Sequence, residues 1–200
     1  MVAKMKGKKR LILDSAKTLF PHFGLKKTTV DEIARLAKIG KGTIYRYFAS
    51  KEDIFLEVIE EEGKILQNQL HKAINKVVSP QEKLRIFVFT WMKALKKLAN
   101  YYNIFKEEYI KQYPFIQKVR EKNFEREMDI VKSILEEGVK KGIFNIDDVK
   151  RTSRVILNAI RGMEYSWIMK KSEFDFQQSI KKFIDLLIKG LEKREGYVRR

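Results

Sequence analysis

The chain has 200 residues, 44% hydrophobic and 12% aromatic, which is enough apolar material for a packed core and excludes global disorder. Its formal charge is +17, from 43 Lys and Arg against 26 Asp and Glu, which suits an anionic partner, nucleic acid before a membrane surface, and equally a lysine-rich solvated surface. With no cysteine it has no disulfide, thiolate nucleophile or thiolate metal site, and no apolar run reaches signal-peptide or membrane-span length, so a soluble cytoplasmic protein is expected.

Three prolines, ten glycines and an absence of period-two alternation point to helices throughout. Ile12, Ala16, Leu19, Phe20 and Phe23 form the first apolar stripe, which Gly24 should stop. Pro21 removes a donor and crowds the Lys17 carbonyl, so a kink or early end is expected there. Thr29-Val-Asp-Glu32 has the capping-box pattern and opens a helix over 30–37. A turn through Ile39 and Gly40 leads to a helix over 41–48. Ser50, with Asp53 three residues on, caps a long helix over 51–78. Ser79-Pro80-Gln-Glu82 starts the next, with Leu84, Phe87, Val88, Trp91, Leu95 and Leu98 as its stripe. A short aromatic helix is expected around Tyr101, Tyr102, Phe105 and Tyr109. A long helix opens at Pro114 and closes at Gly142. Asp147 or Asp148 begins another, carrying Ile156, Ala159, Ile160, Met163 and Trp167. The last has Phe176, Ile180, Phe183, Ile184, Leu187 and Leu191 and is followed by a basic tail. The fold class is all-α, with about nine helices and no strand.

Thr28 to Lys51 is the segment with the clearest chemistry. Ile44 and Phe48, four apart, should pack on Ile33, Leu36 and Leu19. The other face then presents Lys41, Thr43, Tyr45, Arg46 and Tyr47. Arg and Lys donate to guanine edges, and Thr methyls and Tyr ring edges contact thymine methyls. Thr29 and Lys51, at two helix starts, suit phosphate positioning. Residues 1–56 hold thirteen basic residues against five acidic ones, a net +8, so charge density there is more than double that of the rest.

The run ILDSAKTLFPHFG, followed by TTVDEIARLAKIGKGTIYRYFASKEDIFLEV, spans Ile12 to Val58 and resembles the TetR/AcrR family of transcriptional regulators. KGTIYRYFASKEDIF is its specific part. The resemblance implies a helix-turn-helix DNA-binding domain over 1–50 and a helical ligand-binding and dimerisation domain over 51–200, bridged by helix 51–78. It implies that Lys41, Gly42, Thr43, Tyr45 and Arg46 approach bases, that Thr29, Tyr47 and Lys51 contact phosphates, and that Thr28 adds to them. The chain departs from the family pattern at Pro21, at Lys38, where glycine is common, and at Gly40, where a serine-like cap is common.

For the second half, the aromatic and methionine content suits either ordinary core or a cavity. The resemblance implies a cavity for a small apolar or amphipathic inducer, with Phe87, Trp91, Leu95, Tyr101, Phe105, Tyr109, Phe124, Met128, Met163 and Trp167 as its candidates. Lys96, Lys97 and Lys106 leave an anionic lipid or acyl-coenzyme A open. The last two helices are apolar on more than one side, and the resemblance implies a homodimer interface there, with Ile156, Ile160, Ile180, Phe183, Ile184 and Leu187. A dimer would set two reading helices about 34–36 Å apart on a palindromic operator. The expected function is a homodimeric repressor released by ligand; the alternative is a DNA-binding dimer with no small inducer, architectural or protein-regulated. No enzyme is expected. His22 and His71 lack a Glu three residues before them, no Walker spacing occurs, and Glu60 to Glu62 and Glu107-Glu108 read as solvated helix faces. No cofactor or metal is expected.

Overall fold

The computed structural model describes residues 2–95, 97, 98, 100, 113–169 and 173–193. Among them stand eight helices and no strand: α1 Val2–Lys27, α2 Val30–Ala37, α3 Lys41–Tyr45, α4 Lys51–Ile74, α5 Pro80–Leu95, α6 Phe115–Lys140, α7 Val149–Met169 and α8 Glu173–Leu191. The all-α class is as expected. The expected aromatic helix around Tyr101 to Tyr109 lies outside the described residues. Two helices are shorter than the periodicity suggests: α3 ends at Tyr45 rather than at residue 48, and α4 at Ile74 rather than 78. No described helix is long and apolar enough to cross a membrane.

Packing divides the chain into two units: Met1–Asn68 with Lys93–Lys122, and Gln69–Met92 with Asn123–Arg200. In the first, α1 buries Ile12, Leu13, Ala16 and Phe20, α2 buries Ile33, Ala34 and Ala37, and α4 buries Ile54, Phe55, Val58 and Ile59. Phe20 meets Phe55 edge to face at 5.0 Å, a favoured aromatic geometry. Lys9–Glu57 (2.6 Å) and Lys17–Glu61 (2.5 Å) join α1 to α4. Phe23 and Leu36, expected on buried faces, are 55% and 47% exposed.

The kink expected at Pro21 falls instead at Gly24, the one non-helical residue inside α1 (φ 76°, ψ 162°). The reason lies far away in sequence. Pro21 cannot donate to the Lys17 carbonyl. Asn100, 1% exposed, does so in its place: its Nδ2 donates to Lys17 O (3.3 Å) and to Glu62 Oε1 (2.8 Å). The orphaned carbonyl is thereby satisfied, and α1 keeps helical dihedrals through the proline.

In the second unit, Ser79 Oγ accepts from the Glu82 amide at the head of α5. Lys83 pairs with Glu137 of α6 (2.6 Å) and Arg85 with Asp185 of α8 (2.6 Å). α6 closes at Gly142, whose φ of 69° suits glycine, and Ile143 N–H donates back to Gly138 O. A side chain on Gly138 would overlap the Phe144 ring, which lies against it. Asp148 caps α7 by accepting from the Arg151 amide (2.8 Å). Backbone bonds from Asn145 to Leu191 and from Lys193 to Ile143 fasten the end of α8 to the loop after α6.

Candidate nucleic-acid interface

The reading segment is built from caps. At α2, Thr29 Oγ1 accepts from Glu32 N–H (3.2 Å), and Thr29 N–H donates to Glu32 Oε2 (2.8 Å), so two orphan donors are satisfied reciprocally. The bonds from the Thr29 amide and hydroxyl hold the Glu32 carboxyl below the usual range. Lys38 ends α2 in the left-handed region (φ 54°, ψ 44°), and its N–H still donates to the last carbonyls. Gly40 precedes α3 in extended conformation with no side-chain cap. The turn thus forms with a left-handed lysine and without a side-chain cap on α3. At α4, Ser50 and Asp53 exchange the same reciprocal bonds (2.9 and 3.1 Å).

Ile44 and Phe48 are buried and anchor the segment, and Lys9 Nζ stands over the Phe48 ring. Lys41, Gly42, Tyr45 and Arg46 are exposed, and Thr43 and Tyr47 are half-buried. Thr29 is exposed. Arg46 sits at the C-cap of α3, and Tyr47 follows it in the turn.

Three residues are engaged in ways that sequence reasoning missed. Thr28 is fully buried and its Oγ1 donates to Gly24 O (2.8 Å), so it closes the break in α1 and does not present a DNA contact. Lys51 Nζ donates to Lys26 O (3.0 Å) and Thr28 O (3.1 Å), clamping the start of α4 to the same break. Lys41 Nζ pairs with Asp31 Oδ2 (2.7 Å), a bond that holds its ammonium above the usual lysine value. No local pattern encodes the clamp, because its partners are backbone carbonyls more than twenty residues away.

Of the cavity candidates, Phe87, Trp91 and Met128 are buried in the second unit, and Phe124 and Met163 are half-buried there. Arg161 lies over the Phe124 ring (4.7 Å) and pairs with the buried Glu127 (3.0 Å). Tyr101, Phe105 and Tyr109 lie outside the described residues, as do the side chains of Leu95 and Trp167. In the expected dimer set, Ile156, Ile160, Ile180 and Ile184 are already buried inside the single chain. They belong to its own core, while Phe183 and Leu187 of that set are half-buried. Val155 (61%) and Leu186 (59%), outside the main apolar stripes, are exposed.

Comparison with known proteins agrees with this geometry. The model for bacterial regulatory proteins of the tetR family matches residues 12–58, and the model for the YsiA-like protein C-terminal region matches residues 59–190. The chain is 29% identical over 185 residues to the HTH-type transcriptional regulator YhgD of Bacillus subtilis, covering 92% of this chain and 96% of that one. It is 25% identical to the fatty acid metabolism regulator protein of Bacillus subtilis, with 92% and 95% covered. The solved structure of FadR from Bacillus subtilis in complex with stearoyl-CoA superposes with a TM-score of 0.71 at 23% identity, covering 92% of this chain and 99% of that one. An outward stretch with Lys41 and Arg46 on a helix pair flanked by capping boxes at α2 and α4, joined to a helical C-terminal region that has its own family model, makes this chain a member of the TetR family of DNA-binding transcriptional regulators.

Proposed function

We propose that the chain works in the cytoplasm as a homodimeric repressor, without catalysis, and leaves a palindromic operator when an acyl-coenzyme A or similar amphipathic ligand binds. Residues 1–50 are the reading head, 51–200 the ligand-binding and dimerisation region, and helix α4 runs between them. The observation that carries this reading is the exposure of Lys41, Gly42, Tyr45 and Arg46 beside the buried anchors Ile44 and Phe48. Val155, Phe183, Leu186 and Leu187 support a dimer, as apolar surface on α7 and α8 outside the chain's own core. The apolar interior of the second unit and the stearoyl-CoA bound by the FadR neighbour support the ligand class. Ligand release requires tighter binding to the state whose two heads no longer fit the operator. A mobility shift on the chain's own upstream DNA, with and without stearoyl-CoA, tests it. Retardation of one palindromic site that stearoyl-CoA abolishes is expected; retardation unaffected by ligand removes the inducer from the reading.

A further inference from the structure

Helix α5 belongs to both units. Its Phe87 and Trp91 are buried in the second, and from Lys93 onward the chain packs with the first. Leu98 N–H closes the helix on Ala94 O (3.0 Å), and two residues further on stands the buried Asn100. Its amide grips two helices of the first unit at once. Nδ2 donates to Lys17 O of α1 (3.3 Å) and to Glu62 Oε1 of α4 (2.8 Å).

The grip on α1 exists because of Pro21. In an unbroken helix Lys17 O would accept from the N–H of residue 21, and proline has none. The carbonyl is therefore open to a side chain from elsewhere. Glu62 is buried as well, so the bond that it accepts is charge-assisted and sheltered from water. Lys122 and Glu60 (3.2 Å) join the same stretches of chain, but at the surface, where an ion pair contributes little. From Lys17 the bonds continue to the reading segment. α1 stays helical as far as Gly24, Thr28 Oγ1 donates to Gly24 O (2.8 Å), Lys51 Nζ donates to Thr28 O (3.1 Å), and Thr29 caps α2. A displacement of the chain after α5 thus meets α1 through a buried amide instead of being absorbed in a loop.

We propose that Asn100 is a positioning residue for DNA binding, the link that carries the state of α5 to the reading head, with the carbonyl that Pro21 leaves open as its point of attachment. Pro21 departs from the family pattern, so this link is a property of the present chain. The inference rests on the ligand-released reading above and names the route of release. Linkage makes the route testable from either end: if α5 biases the head, operator binding at the head must in turn act on α5.

The test uses the full chain and cuts the link while repairing α1. In the double variant Pro21→Ala with Asn100→Ala, the new N–H at position 21 serves Lys17 O, so the helix is kept and only the attachment is lost. This variant should bind the upstream palindrome within about threefold of the wild type, less than the net worth of one average hydrogen bond. The readout is the indole proton of Trp91 in the nitrogen–proton NMR spectrum, assigned with Trp91→Phe. Adding operator DNA should move it in the wild type and in Pro21→Ala alone, where the two lone pairs of Lys17 O can accept both donors, and should leave it in place in the double variant. Asn100→Leu in the same background, which fills the volume of the amide, replaces the alanine variant if that one does not fold. No movement in the wild type overturns the proposal, and so does equal movement in the double variant; either result leaves a ligand-released repressor standing. Stearoyl-CoA should release the wild type from the operator at a concentration at least about fivefold lower than it needs for the double variant, the low end of an allosteric coupling. Equal release of both overturns the link. Release of neither removes the acyl-coenzyme A reading, and the indole proton still decides the link.

Discussion

Removing the amide that stands in for the missing donor of Pro21 should be costly, and the cost should depend on the proline. Asn100→Ala leaves Lys17 O without its replacement donor and takes from the buried Glu62 carboxylate a bond of 2.8 Å. An unsatisfied buried carbonyl costs about 1–3 kcal/mol, and a bond to a charged group contributes about 1.5–3 kcal/mol, so a loss of about 2–4 kcal/mol is expected. Pro21→Ala restores a backbone N–H four residues after Lys17. In the Asn100→Ala background that N–H fills the vacated carbonyl, whereas in the wild type the carbonyl is already served. The double-mutant cycle should therefore show a coupling of about 1 kcal/mol, the net worth of one hydrogen bond. Urea denaturation followed by circular dichroism measures all four corners. Additivity within about 0.3 kcal/mol would refute the replacement argument, because the two residues would then act independently.

Lys38→Gly removes the left-handed penalty of about 1–2 kcal/mol but loosens the unfolded chain by about 0.5–1 kcal/mol, so a small net gain in melting temperature is expected, and Lys38→Val should lose stability. A gain with valine would show that the turn is not under this strain. Arg46→Ala should cost about 1–3 kcal/mol on operator DNA and little on random DNA, measured by fluorescence anisotropy; equal losses would remove its base-reading role. Lys51→Ala should instead lower stability by about 1–2 kcal/mol and weaken both DNAs alike, since Nζ clamps the Lys26 and Thr28 carbonyls. Lys141 and Lys83 hold the Glu137 carboxyl below the usual range. A carboxyl lowered in the folded state adds stability above its unfolded value and loses it as pH falls through the folded value. Glu137→Gln should thus be less stable than wild type at neutral pH, with the difference closing in acid; a pH-independent difference would contradict this.

The local features of the sequence were the legible ones. The capping residues Thr29, Ser50, Ser79 and Asp148 are each within three residues of what they bond, and the structure has all four. The resemblance placed Lys38 where the family's turn commonly has glycine, and its φ of 54° is the left-handed conformation that glycine takes most easily. What sequence reasoning missed depends on partners remote in the chain. Asn100 rescues Pro21 across 83 positions to Lys17, and Lys51 clamps carbonyls of the α1 break. Thr28 looked like a surface hydroxyl, but folding closes the Gly24 break over it. Periodicity marked the faces of Ile156, Ile160, Ile180 and Ile184 as apolar and the resemblance assigned them to a dimer interface, whereas the single chain already buries them. Periodicity cannot tell burial inside one chain from burial between two.

The most direct test of the account is a titration of the purified protein on its own upstream palindrome against a scrambled duplex, by fluorescence anisotropy across a salt series. The account predicts binding of two chains per site, at least about a thousandfold tighter than to the scrambled DNA at physiological salt. It also predicts a log–log salt slope that reflects several phosphate contacts. Equal affinity for both duplexes would contradict it, because the exposed face from Lys41 to Arg46 would then be a basic surface that reads nothing.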